Sequence, residues 1–407
     1  MLESRYPIRS ASLSRSASFW FLAALLGLLL FAASAPSPLY AVYEERWRFS
    51  SITLTVIFAV YAFALLVALL TTGRLSDHLG RRPVLVLALV VQVAGMVFFV
   101  LADGVAALYL ARILQGLGTG IATGAISAWL LDLQPPENPS RGGVVGGIAP
   151  MAGLAAGALG SGLLVQYGPA PLRLVYWLLA GIYLVALAAL FLIRDTAGGA
   201  PGWLRSLRPE IGVPPPARSL FAASAPALIA TWALGGLYLS LGPSLAVSLL
   251  RSDSRVAGGL VIAALAGVGT AAAALVRAAN PGLIVSRGSL VLIVGVALTL
   301  VAVAVDSSAG LYLGSALAGV GFGPAFSGVF RGLAPLAPPD QRSALLASIY
   351  VVSYLAFSVP AIIAGVAAAH YGLRDTTYGY GVVVIVLAAL TTVAVSRRST
   401  PAGRAAQ

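Results

Sequence analysis

The side chains able to pair or carry charge fall into two small groups. The stretch "GRLSDHLGRRPVL", Gly73 to Leu85, holds Arg74, Asp77, His78, Arg81 and Arg82 between long apolar runs. Asp77 and Arg81 are four residues apart, a spacing that lets a carboxylate and a guanidinium meet on one helical face. Asp132, at the end of a later apolar run, offers Arg81 a second carboxylate. The other group is Arg112, Gln115 and Thr119, a polar stripe at i, i+3 and i+7 within an apolar segment. A charged side chain in a bilayer costs about 2.5–3.5 kcal/mol or more, so Arg112 must face a protein interior or water. This stripe can contact a ligand, or adjust the proton affinity of a neighbouring carboxyl. A purely structural alternative is an arginine bonded to backbone carbonyls of the first two apolar segments. Cysteine is absent, and the two histidines, His78 and His370, are far apart. That excludes thiolate chemistry and gives no metal-ligand spacing, so a membrane-embedded enzyme is not expected.

The elements that position these groups are helices in a bilayer. Of 407 residues, 59% are hydrophobic and 9% charged, against roughly 25% charged in a soluble domain. Crossing a membrane takes about 20 apolar residues. Twelve segments meet this, at approximately 18–42, 51–72, 84–102, 105–131, 143–166, 173–193, 220–248, 256–277, 288–305, 309–333, 343–369 and 379–396. Residues 194–219, "RDTAGGAPGWLRSLRPEIGVPPPARS", are rich in Pro, Gly and Arg and lack an apolar period. They read as a connector between a first six-helix bundle, 1–193, and a second, 220–407.

The net charge of +12 comes entirely from arginine. With the N-terminus placed inside, 18 arginines fall on inside segments and 6 outside. This bias predicts both termini in the cytoplasm and an even number of spans. It also assigns the basic excess to topology rather than to nucleic acid. Basic residues before an apolar run that ends in Ala32-Ala33-Ser34-Ala35 have the outline of a cleavable leader. The apolar run continues to Tyr40, and its removal would leave an odd span count. The first span is therefore expected to be retained.

The two halves are related by a shift of 203 residues. "LYLARILQGLGTGIA" (108–122) falls on "LYLGSALAGVGFGPA" (311–325), and Pro135–Pro136 on Pro338–Pro339. Twelve of the 29 positions from 108 to 136 match. A parallel repeat of this kind builds two pseudo-symmetric bundles with a site between them near the midplane.

On these features the chain resembles the major facilitator superfamily of secondary transporters. Gly73-x-Leu75-x-Asp77-x-x-Gly80-Arg81-Arg82 is similar to that family's signature between spans two and three, and "RILQGLG" (112–118) to a signature on span four. "GGIAPMAGLAAGALGSG" (146–162) partly resembles the antiporter signature of span five. It places Gly153, Gly157 and Gly160 at helix-packing spacing, but Pro150 follows Ala149 rather than Gly. The resemblance implies an all-α integral membrane fold of twelve helices in two six-helix bundles, resembling most the drug-efflux/proton antiporter branch. It also implies a relay of Asp77, Arg81 and Asp132.

With Gly73, Gly80 and Arg82, these residues are expected to latch the inner gate, Asp77 facing the N-terminus of span eleven near Ser343. A carboxylate so placed contributes about 0.3–1 kcal/mol, up to ~2 when partly buried. In the second half Arg74 maps to Arg277 and Asp77 to Asn280, so the first-half latch is expected to dominate.

Acidic residues are missing from the middle of every span. Glu44, Glu45, Asp103, Asp253, Asp306 and Asp375 lie at outer ends, and Asp132 and Asp340 at inner ends. Glu44 and Glu45, below the outer face of span one, are the candidates for protonation. In the resembling family, spans one, four, seven and ten border the central cavity. Here these offer Tyr40, Gln115, Trp232, Tyr238, Phe322 and Phe326, and spans two and eleven add Tyr61, Tyr350 and Tyr354. Aromatics with few fixed charges suit an apolar or amphipathic ligand.

The expected function is secondary active transport by alternating access, as proton-coupled efflux of small amphipathic compounds. Import or uniport of a small metabolite is the alternative, and a non-transporting receptor on the same scaffold is the rival of another class. The expected partners are a small-molecule substrate and the lipid bilayer, with no nucleic acid. No cofactor is expected beyond the proton as coupling ion. A monomer in the bacterial inner (cytoplasmic) membrane is expected.

Overall fold

The computed structural model describes residues 13–138, 141–199, 201–250, 254–338 and 341–399; Asp253, Pro339 and Asp340 lie outside these. Among the described residues, twelve helices are long and apolar enough to cross a bilayer. They are Arg15–Trp47, Ser51–Thr72, Arg81–Val100, Val105–Leu133, Arg141–Tyr167 and Leu174–Leu192 in the first half. Pro215–Ser240, Arg255–Leu275, Pro281–Ala304, Ser308–Leu336, Arg342–Tyr371 and Leu373–Val395 follow in the second. No strand occurs among the described residues. Lipid offers no hydrogen bonds to a bare backbone, so a spanning chain that does not close into a barrel must be helical. The chain is a multi-pass membrane protein with the twelve-helix fold expected from its sequence.

The face where span one begins and span two ends is called here the near face, and the opposite one the far face. In the first half, span one packs on five, two on four, three on four and three on six. In the second, seven packs on eleven, eight on ten, nine on ten and nine on twelve. Each contact is the counterpart of one in the other half. Two large contacts cross between halves, span two with eleven and span five with eight, and these are again counterparts.

Local details repeat as well. Span one breaks at Ala35–Pro36 before a short helix, Ser37–Trp47, and span seven breaks at Leu241 before Gly242–Leu250. The glycines of span four let neighbouring backbones approach closely. A Cβ at Gly116 would meet the Tyr61 carbonyl and one at Gly120 the Leu65 carbonyl, both on span two, whereas one at Gly118 would meet Ala88 and Gln92 on span three. The shifted trio behaves alike: Gly319 and Gly323 lie against Leu265 and Gly269 of span eight, and Gly321 against Gly288 and Leu292 of span nine. Small residues replace the hydrophobic effect as the means of helix association in lipid.

Span five docks on span one in the same manner. Gly153 lies against Gly27, Gly157 against Phe31 and Ser34, and Gly160 against the Phe31 ring. Ser34 Oγ donates to Leu154 O (2.8 Å) and Ser161 Oγ to Ala35 O (2.6 Å), closing polar gaps in that contact.

The far-face portions of the halves are tied together. Gly259 lies against Ala158 and Leu159, Gly365 against Thr55, and Gly162 against Arg255. Arg255 also donates its backbone N–H to Gln166 Oε1 (2.8 Å) and its guanidinium to Glu45 (3.1 Å).

Candidate functional site

Arg112 is fully buried on span four, where the far-face half of the helix meets spans one and two. Its Nη1 donates to Ala33 O (3.1 Å) and to Gln115 Oε1 (2.6 Å). Gln115 Nε2 in turn donates to Ala32 O at 2.8 Å. The break in span one accounts for these open carbonyls: Pro36 brings no N–H to Ala32 O, and the helix ends at Ser34, before the residue that would donate to Ala33 O. Thr119 Oγ1 donates to Gln115 O (2.7 Å) and accepts from Gln92 Nε2 (2.8 Å). The stripe Arg112, Gln115, Thr119 is thus one continuous network, and all three residues are shielded from solvent.

The guanidinium carbon lies 4.6 Å from the Tyr61 ring centre and 5.8 Å from that of Tyr40. None of the ion pairs among the described residues involves Arg112. The carboxyl whose proton affinity Arg112 could have adjusted is therefore not paired with it. Of the backbone carbonyl contacts expected to spans one and two, only those to span one are made. Gln92, which sequence reasoning passed over, belongs to this network. Its signal was present, since it is an isolated amide in the apolar run of span three.

A second cluster is aromatic and lies between the halves. Trp232 packs edge-on against Phe326 (5.5 Å), Tyr354 (4.9 Å) and Phe357 (5.6 Å). Tyr350 stands 6.3 Å from Tyr354, and Phe58 of span two lies 4.8 Å from Phe357 across the interface. Tyr350, Tyr354 and Phe357 recur at i, i+4 and i+7, so Phe357 was legible from the period and was missed.

Not every expected cavity residue joins this cluster. Tyr40 and Tyr61 stand at Arg112. Phe322 is buried near Gly235 and Gly269. Tyr238 is tied inside the second half, its hydroxyl 3.0 Å from Ser315 Oγ and 3.5 Å from Thr299 Oγ1.

The near-face cluster is built around Arg81. Its guanidinium pairs with Asp77, donates from Nε to Asp132 (3.2 Å), and donates from Nη1 to Ser76 Oγ (2.8 Å). Asp77, Arg81 and Asp132 are therefore together. The recorded hydrogen bonds of the Asp77 side chain go to Arg81, and none reaches span eleven. Gly80 adopts φ 96°, a left-handed value that favours glycine. That turn places the next two N–H groups toward the connector, where Asp195 caps them, accepting from Arg81 N (3.0 Å) and Arg82 N (3.1 Å).

A Cβ at Gly80 would approach Asp195 Oδ2 to 2.8 Å. Arg82 donates to Ile193 O, and Thr196 Oγ1 donates to Asp132 at 2.7 Å. Gly73 lies under Gly124 of span four. Arg74 reaches Glu210 of the connector (2.7 Å), and Gly212 N donates to Ala344 O (3.3 Å) of span eleven. The route from the loop to span eleven thus runs through the connector. Asp195 and Thr196 were not singled out in the sequence, because a cap supplied from more than a hundred residues away has no local signature.

In the second half Asn280 caps its own span, accepting from Gly282 N (2.9 Å) and Leu283 N (3.4 Å). Glu44 accepts from Ser51 Oγ at 3.4 Å, and Glu45 holds Arg255.

A family model described as Major Facilitator Superfamily matches residues 19–359. Multidrug resistance protein MdtL of Escherichia coli O45:K1 (strain S88 / ExPEC) is 29% identical over 155 residues, 37% of this chain and 39% of that protein. MdtL of Escherichia coli O127:H6 (strain E2348/69 / EPEC) is 27% identical over 154 residues, again 37% and 39%. The matches to these relatives span well under half their length. Among solved structures, a bacterial homologue of the human lysosomal transporter Spinster, inward-facing and unoccupied, aligns with TM-score 0.73 at 13% identity, over 94% of this chain and 97% of that one. A POT family transporter in complex with 5-aminolevulinic acid aligns with TM-score 0.74, also at 13%, over 95% and 97%. Likeness at that identity concerns the fold alone. The family model runs across most of the spans, and the chain belongs to the Major Facilitator Superfamily.

Proposed function

We propose that this transporter exports small amphipathic compounds from the bacterial cytoplasm in exchange for protons, by alternating access. The observation that carries this reading is the aromatic cluster shared between the halves. Phe58 comes from the first half, and Trp232, Phe326, Tyr350, Tyr354 and Phe357 from the second. A compound seated there touches both bundles, so its binding differs in free energy between the two gate states, as any ligand-driven switch requires. Rings without fixed charge receive apolar bodies of varied shape. The similarity to MdtL supports efflux of such compounds.

The near face is assigned to the cytoplasm by its arginine excess. With the far-face halves of spans two, five, eight and eleven in contact, the described conformation is then closed to the outside. Moving a gate from 1:99 to 99:1 takes about 5.5 kcal/mol. A surface latch supplies a fraction of this, and substrate and proton binding supply the remainder.

The test is counterflow in proteoliposomes preloaded with an amphipathic aromatic compound, followed by an imposed pH gradient. Exchange that accelerates when the compartment receiving substrate is acid supports proton-coupled export. Exchange indifferent to the gradient leaves a uniporter, and no exchange across a charge-varied panel removes the export reading.

A further inference from the structure

We propose that Arg112, with the hydroxyls of Tyr40 and Tyr61, receives the anionic head of the transported compound, so that the substrate is an amphipathic organic anion such as an aryl carboxylate. The proposal rests on the export reading only for direction of movement; it concerns what binds.

Guanidinium carries five N–H donors and no acceptor. In Arg112 one nitrogen, Nη1, makes both recorded hydrogen bonds, while Nε and Nη2 are buried and make none. The Tyr40 and Tyr61 hydroxyls are also buried without a hydrogen bond of normal geometry. Both rings flank the same guanidinium. Four polar atoms capable of donating are therefore left over around one cation. Buried polar groups in proteins are nearly always satisfied, and a cluster of exceptions calls for a partner.

The cation also lacks a counter-charge. Arg112 takes part in none of the ion pairs among the described residues, and Glu44, Glu45, Asp132, Asp306 and Asp375 all stand at span ends. Ring faces offset part of this cost. They leave Nε and Nη2 without acceptors. A carboxylate accepts two parallel N–H bonds from one guanidinium, the strongest pairing open to this side chain. Neutral compounds would leave the charge unanswered, and a cation would be repelled.

The site adjoins the aromatic cluster. Tyr61 lies three residues from Phe58 on span two, hence on the same helical face, and Phe58 packs on Phe357. An anion held at Arg112 can extend its apolar body toward Phe357, Trp232 and Tyr354. The second half offers no comparable head site, since Ser315 occupies the position equivalent to Arg112 and is bonded to Tyr238 and Leu311.

The experiment is calorimetric titration of the full-length protein in detergent with three matched probes: 2-naphthoate, 2-naphthylmethanol and 2-naphthylmethylammonium. Naphthoate is expected to bind at least about tenfold more tightly than either of the others. Arg112→Lys keeps a preference for the anion, and Arg112→Gln removes it while the alcohol still binds. Equal or tighter binding of the alcohol or the ammonium by the unaltered protein overturns the proposal, with no variant needed. So does an anion preference that survives in Arg112→Gln, and so does the absence of binding by all three. Selective binding of naphthoate, with no counterflow of any compound of the charge-varied panel, leaves the head site standing and removes the export reading instead.

Discussion

The two halves share a scaffold and differ in charge. At a shift of 203 residues the glycine trios of spans four and ten press on corresponding neighbours, and the first span of each half breaks before a short far-face helix, within a turn of the same register. At the same shift Arg112 becomes Ser315, Gln115 becomes Ala318, Tyr61 becomes Ala264 and Gln92 becomes Gly295. Packing was kept where both halves need it. The polar network was concentrated in the first half, whereas the aromatic cluster draws mainly on the second. A pseudo-symmetric molecule can thus hold an asymmetric ligand by its two ends, and rocking need not change either half internally.

The largest expected effect tests the shared part. Gly116→Val and Gly319→Val each force a side chain into a neighbouring carbonyl, and overpacking costs about 1–3 kcal/mol, occasionally more. Both variants should lose monodisperse folded protein in detergent chromatography, and to similar degrees. A tolerant second half would show that the trios are not equivalent.

The next effect tests the difference. Arg112→Gln should cut counterflow of an anionic substrate by about tenfold or more, whereas Ser315→Ala should cost about 0.5–1.5 kcal/mol of stability and leave transport within about twofold. Equal losses of transport would erase the asymmetry.

Smaller again is the comparison of caps. Asp195→Ala and Asn280→Ala each remove an N-cap, worth about 0.5–2 kcal/mol. Thermal unfolding should register both, with Asp195→Ala the larger because the cap is a charged carboxylate and its bond from Arg81 N is partly buried. The smallest expected effect concerns the far face. Glu45→Gln breaks an exposed ion pair worth about 0.2–1 kcal/mol, and should raise the population open at that face only slightly. Spin-label distances between spans one and eight would measure it.

How much could be read from the sequence follows from how local each feature is. Twelve apolar runs, the glycine spacings and the Arg112–Gln115–Thr119 stripe are properties of single segments, and all were legible. Arg81 was expected to reach Asp77 or Asp132 and reaches both. The misses are contacts between distant segments. Gln92 meets Thr119 from another helix, Asp195 caps a span of the first half from the connector, and Tyr238 turns to Ser315 and Thr299 within its own bundle. Helical period states which residues share a face, and tertiary packing decides what that face meets.

The cap made by Asp195 bears on how such a chain could be divided. A connector is commonly treated as a tether that a gene could gain or lose when two bundles are fused or separated. Here its opening residues, Asp195 and Thr196, are bonded to Arg81, Arg82 and Asp132, so they belong structurally to the first bundle. Co-expressed fragments cut before Asp195 would give the first fragment an uncapped span, whereas a cut after Gly199 would leave it whole. The functional seam of the polypeptide therefore lies several residues beyond the place where its hydrophobicity ends.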